Sequence, residues 1–264
     1  MKKFLKIFSW FLILMGLLVT LGFVYNEQKS LLCTDLKIII DVDNGHEFID
    51  IKDILAIVNK SGDSIVGQSI AGIDVGKLEK LIENHPSIAN AEVYKTINGE
   101  INVKVQQRNP IIRIFPVNND GFYIDEEGEF MPLSSKYSAR VLMANGNIVG
   151  GVSTWSGLSI PQIMRNDSLA KKTILDDLFL LADFINKDEF WKAQIQQVYV
   201  DTNREIELIP RVGNHRIIIG DVSGLKEKFE KLMIFYNEGL NKTGWNEYHT
   251  INLKYQNQIV CTKI

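Results

Sequence analysis

The stretch Gly62-Asp63-Ser64-Ile65-Val66-Gly67-Gln68-Ser69 has the glycine spacing of a loop that cradles phosphate. Such a loop needs a lysine after its second glycine and a strand before it. Gln68 holds the lysine position and a helical pattern comes first, so a plain connecting loop and no nucleotide are expected. The histidines, His46, His85, His215 and His249, are too scattered to form a metal-binding pair on one helix face. The carboxylates Asp120, Asp125, Glu126, Glu127 and Glu129 could hold a calcium ion. They lack the alternating oxygen ligands of an EF-hand loop and read as a solvated turn. No Gly-x-Ser-x-Gly elbow, Ser-x-x-Lys pair or His-Glu-x-x-His helix occurs. The expectation is a protein that is not an enzyme, with no catalytic residue, cofactor or metal.

The elements that would position any site follow from periodicity. Leu36 to Asp43 reads as a strand, and Ile51, Ile54, Leu55 and Val58 as one helix face behind an Asp50 N-cap, ending at Gly62. A second helix starts at Asp74, with Leu78, Leu81 and Ile82 on one face, and stops at Pro86. Strands Ala91 to Thr96 and Glu100 to Gln106 flank an Asn98-Gly99 turn. This order of strand, helix, helix, strand, strand is that of a POTRA module, a small two-layer α/β domain.

From Asn109-Pro110 onward the pattern changes to short strands. Gly121 to Ile124 and Phe130 to Leu133 flank a turn at 125–128, and the glycines and serines of Ala144 to Pro161 read as a long mobile loop. A helix carries Ile174, Leu178, Leu181 and Ile185 in line. Strands at Val198 to Asp201, Glu205 to Ile209 and Arg216 to Ile219 follow. The last helix aligns Leu225, Phe229, Leu232 and Tyr236, leaving Lys226, Lys228 and Lys231 for its wet face.

Ile7 to Tyr25 is a charge-free apolar run of 19 residues, long enough as a helix to cross a bilayer. It is longer than a signal-peptide core and has no small-residue cleavage site, so an uncleaved anchor is expected. Lys2, Lys3 and Lys6 precede it, which places the amino terminus in the cytoplasm. Of the 29 basic residues 26 then lie outside, against 32 acidic ones, a formal charge of −6. Nucleic acid and anionic lipid are poor partners for such a surface. An oxidising compartment would permit Cys33 and Cys261 to pair, although Cys261 lies on the apolar parity of its strand and reads as a small core residue.

The chain closes on HTINLKYQNQIVCTKI, read as one terminal strand. Ile251, Leu253, Tyr255, Ile259 and Cys261 share one parity, and Asn252, Lys254, Gln256, Gln258 and Thr262 the other. Either this strand is inserted in its sheet, or something else pairs with it.

Several segments together resemble the FtsQ/DivIB family of bacterial cell-division proteins. They are His85-Pro86-Ser87-Ile88-Ala89-Asn90-Ala91-Glu92-Val93, Gln107-Arg108-Asn109-Pro110, Tyr123-Ile124-Asp125-Glu126-Glu127-Gly128 and Asn252-Leu253-Lys254-Tyr255-Gln256-Asn257-Gln258. Gln107 stands where the family has glutamate, Ile97-Asn98-Gly99 occupies a turn where proline is frequent, and Asn252 and Lys254 replace an aspartate and an arginine.

The resemblance implies a cytoplasmic tail at 1–6, a transmembrane helix at 7–25, a POTRA domain at 36–108 and a β-rich mixed domain at 109–264. It further implies a non-enzymatic scaffold at the septal plasma membrane, its bulk extracytoplasmic. Such a scaffold recruits and regulates septal peptidoglycan synthesis, with FtsB/FtsL-like proteins and septal synthase components as partners. The candidate contacts are Tyr255, Lys254, Gln256, Gln258 and Leu253. Tyr255 reads equally as a core aromatic, and Lys254, Gln256 and Gln258 as surface residues. The alternatives are a POTRA-containing assembly or secretion factor, which would need a barrel or several repeats, and an anchored cell-wall hydrolase.

Overall fold

The computed structural model describes residues 8–20, 31–41, 45, 47–59, 64–117, 120–155 and 157–264. They form two compact units divided between Gln107 and Arg108. Residues 8–20 are helical (α1). Among the described residues no helix is long and apolar enough to cross a membrane, and Ile7 and residues 21–25 of the expected span lie outside them.

The first unit holds a three-stranded sheet. Its central strand β3 (Glu100–Gln107) runs parallel to β1 (Asp35–Asp41) and antiparallel to β2 (Ile88–Lys95). Ile101, Val103 and Val105 of β3 are buried against helices α2 (Ile51–Asn59) and α3 (Val75–Glu83). Asp50 and Asp53 exchange side-chain bonds with each other's N–H groups at 3.0 and 2.9 Å, and the Asp74 carboxylate accepts from Lys77 N at 3.1 Å, so both helix starts are capped. Only Ile54 and Val58 of the expected α2 face are buried; Ile51 and Leu55 are exposed, because a two-layer unit covers a narrow stripe of so short a helix. The helix ends at Asn59, and Gly62 lies outside the described residues.

Gln107 is buried, and its side-chain oxygen accepts the N–H groups of Phe48 and Ile49 at 2.9 and 3.1 Å. A carboxylate could accept the same two bonds, so the departure from glutamate conserves the acceptor. Of the glycine-spaced loop, residues 64–69 are described. Gly67 N–H donates to Cys33 O at 2.8 Å, and Gln68 N–H to Ile65 O at 3.2 Å. Both amides serve pairing within the chain.

The second unit is a nine-stranded mixed sheet ordered β12-β11-β10-β9-β8-β7-β4-β5-β6. The strands are β4 (Pro110–Ile114), β5 (Phe122–Asp125), β6 (Phe130–Pro132), β7 (Leu142–Gly146), β8 (Ile195–Val200), β9 (Ile206–Pro210), β10 (Arg216–Gly220), β11 (Tyr248–Asn252) and β12 (Val260–Lys263). Register places Ile251, Ile217, Leu208, Val198, Ala144, Ile114 and Phe122 in one row across seven strands. All seven are fully buried, against a helical layer that includes α4 (Ile160–Met164), α5 (Asp167–Ala170), α6 (Leu175–Asn186), α7 (Glu189–Gln194) and α8 (Leu225–Ile234). The stripes Ile174, Leu178, Leu181, Ile185 and Phe229, Leu232, Tyr236 pack into this core as their spacing predicts.

Three expectations change here. The terminal segment is two strands, β11 and β12, paired antiparallel around a turn, because Leu253 folds down into the core and ends β11. The described residues of 144–161 form defined elements: 144–146 belong to β7, Val152–Trp155 is a 3-10 turn, and α4 (Ile160–Met164) follows a Ser159–Gln162 capping box. The glycines there shape tight turns, and β7 is held on both sides by β4 and β8. The turn at 125–128 is not wholly solvated. Asp125 is buried, paired with Arg108 at 2.8 Å, and accepts the N–H groups of Glu127 and Glu129. Among the described residues no group of His, Cys, Asp and Glu could hold a metal ion.

Candidate functional site

The two ends of the nine-stranded sheet differ. At one end β6 is three residues long, carries Pro132, and lies beside the 3-10 turn at 152–155. Shortness, proline and cover are the means by which a sheet edge is closed to further pairing. At the other end β12 pairs, among the described residues, only with β11 and has no proline. Val260 and Ile264 are 43% and 79% exposed, whereas Cys261, opposite Ile251, is partly buried. Both cysteines are free thiols, and burial pushes each upward in pKa.

The chain holds this edge in place by ties to three elements. Leu253 N–H donates to Ile218 O of β10 at 2.9 Å, with its side chain in the core. The Lys231 ammonium on α8 donates to the carbonyls of Leu253, Tyr255 and Gln256 at 3.3, 2.6 and 3.3 Å, so a helix cation is spent on the carbonyls of the turn. The Lys254 ammonium pairs with Glu205 in the β8–β9 turn, which raises its pKa. Lys228 is also withdrawn from solvent. It donates to Ile219 O and Asp221 O, both at 2.9 Å, and to the Asp221 carboxylate at 2.8 Å. That bond is the main cause holding the Asp221 carboxyl down at about 2. The expected wet face of this helix is therefore corrected for Lys228 and Lys231: backbone carbonyls from neighbouring segments satisfy both ammonium groups.

Beside β12 lies an open groove of about 410 Å³, lined in part by Lys231, Ile234, Phe235, Glu238, Gln258 and Ile259. Its helical wall continues α8 through a π-helical segment, Phe235–Leu240, into α9 (Asn241–Thr243). Gly239 permits this wall: a Cβ there would stand 2.8 Å from the Phe235 ring. Beneath it Tyr236 packs on Trp245 and on buried His215, with ring centroids 4.8 and 5.8 Å apart. Burial depresses the His215 pKa, partly offset by a hydrogen bond with the Trp245 backbone, and pushes the Tyr236 hydroxyl up to about 12.

Of the residues singled out from the sequence, Lys254, Tyr255, Gln256 and Gln258 are exposed on or beside the turn, Tyr255 at 47%. Leu253 is fully buried and unavailable to a partner. Sequence reasoning missed Lys231, whose acceptors lie more than twenty residues away. It also missed Ile234, 63% exposed, for which a signal existed: an apolar residue standing off the stripe Leu225, Phe229, Leu232, Tyr236.

A βααββ unit followed by a mixed sheet backed by helices, with an edge strand and a groove beside it, defines a two-domain architecture of a small α/β module and a β-rich mixed domain. Residues 31–106 match the POTRA-like domain, and residues 109–262 match the family described as FtsQ/DivIB, C-terminal related. The chain belongs to the FtsQ/DivIB family of cell-division proteins. A search of curated proteins finds no match.

Proposed function

We propose that this protein is a membrane-anchored scaffold of the division machinery that accepts a strand from a partner along β12. The observation that carries this is the contrast between the closed β6 edge and the open β12 edge. In strand addition, main-chain hydrogen bonds supply affinity and alternate side chains supply specificity. The exposed Tyr255 and Val260 offer apolar contact beside that edge, and the groove under Ile234 receives side chains from the added segment.

The partner is of the FtsB/FtsL kind, small coiled-coil division proteins, and through it the scaffold recruits and regulates septal peptidoglycan synthesis. Residues 7–25 anchor the chain by one helix at the plasma membrane of the septum, with the amino terminus in the cytoplasm. The POTRA domain at 36–108 and the β-domain at 109–264 lie outside.

The test uses the full-length chain and capture of membrane partners. Amides of a strand point alternately to its two sides, so of Cys261→Pro and Thr262→Pro one removes an N–H from the open edge. Circular dichroism of each variant reports folding. The expected result is a folded variant that loses an FtsB/FtsL-like partner. If both variants fold and keep every partner, the edge is not the docking site and the POTRA domain takes its place.

A further inference from the structure

One end of the first unit exposes apolar side chains on three segments that the backbone brings side by side. Leu32, Val66 and Ile97 are 54%, 48% and 92% exposed. Leu32 bridges Ser69, Gly67 N–H donates to Cys33 O at 2.8 Å, and Thr34 N–H donates to Gly99 O at 2.9 Å. Gly99, at φ +89°, turns the hairpin so closely that a Cβ would lie 3.0 Å from Leu32 O. The neighbours Cys33, Ile65 and Ile70 are buried in the core, so this end is well packed and its apolar surface faces outward. Single exposed apolar residues are ordinary, but three gathered at one end mark a contact surface.

The covalent chain names what that end faces. Only residues 26–31 separate Leu32 from Tyr25, the last residue of the charge-free run. Fully extended at about 3.5 Å per residue, this connection reaches about 25 Å at most. We propose that this end of the POTRA domain rests on the bilayer and inserts Leu32, Val66 and Ile97 into its interface. It is a second, weak attachment that fixes how the domain stands on the membrane. The proposal rests on the reading of residues 7–25 as a membrane anchor.

The attraction is apolar. The outer part of the chain carries a formal charge of −6, so anionic head groups do not draw it in, and the contact persists at high salt.

The test places the full chain in vesicles of phosphatidylethanolamine and phosphatidylglycerol, in a Cys261→Ser background where the remaining cysteine, Cys33, is buried. An environment-sensitive fluorophore is attached to Ile97→Cys and, as a control on the same unit, to Ile39→Cys, whose native side chain is 52% exposed. Vesicle flotation reads the anchor independently. The expected result is blue-shifted emission at position 97 that brominated acyl chains quench in low and high salt, with water-like emission at position 39. With the label moved to Val66→Cys, adding Ile97→Asp is expected to abolish quenching. Flotation with water-like emission at 97 overturns the interface contact and leaves the anchor standing; failure to float overturns both.

Discussion

The two edges of the nine-stranded sheet carry opposite treatments of one physical problem, the row of backbone groups that a terminal strand leaves unpaired. At β6 the chain closes the edge with a strand of three residues, a proline and a neighbouring 3-10 turn, and locks the hairpin by the Arg108–Asp125 pair. At β12 it leaves the edge open and spends its interactions on the turn behind it, through Leu253, Lys231 and Lys254. Stability is concentrated at the closed edge, and alignment at the open one.

That contrast breaks most sharply at Asp125. Removing one member of a buried pair strands the other, so Asp125→Ala is expected to destabilise the second unit by about 3–5 kcal/mol, read by denaturant unfolding. Leu253→Ala is expected to cost about 2–5 kcal/mol by the same measurement, because the root of the β11–β12 turn is core. A loss under about 0.5 kcal/mol, the range of a surface substitution, would return Leu253 to the contact surface.

Lys231→Met sharpens the comparison further. Loss of a charged donor to three carbonyls is expected to cost about 1–3 kcal/mol. Hydrogen exchange should quicken in 253–262 while β4–β6 stays protected, with Lys231→Arg restoring much of the protection. Equal quickening at both edges would show that the turn is not held separately.

Acid should act through His215, buried beside the groove wall. Its folded pKa lies below 6.5, so the unfolded chain takes the proton first. Its contribution is complete above pH 6.5 and is lost as pH falls from 6.5 through the depressed folded value, and His215→Asn should flatten that slope. Asp221 adds a separate loss between pH 3.8 and about 2. The smallest effect on stability belongs to Tyr255→Ala, expected within about 0.5 kcal/mol while partner capture falls.

The POTRA order, the paired motifs and the helix stripes were legible because each rests on local periodicity or on residues a few positions apart. The pairing of Gln107-Arg108-Asn109-Pro110 with Tyr123-Ile124-Asp125 was visible as order and spacing; only the fold showed that Arg108 and Asp125 touch. The strand end, 3-10 turn and short helix within 144–161 were not legible because glycine marks a tight turn and a loop alike. Lys228 and Lys231 were misread because helical spacing places them opposite the apolar stripe but says nothing of carbonyls arriving from elsewhere in the sheet.

The sequence alone determined the two-domain order, the family and the polar and apolar parities of the terminal segment, since these depend on neighbours along the chain. Tertiary structure decided that this segment is two strands, that Leu253 lies inside while Tyr255 stands outside, and that the last strand is an edge. Parity assigns a residue to a face, but burial depends on what the rest of the chain packs against that face, and an edge is defined only by which strands pair.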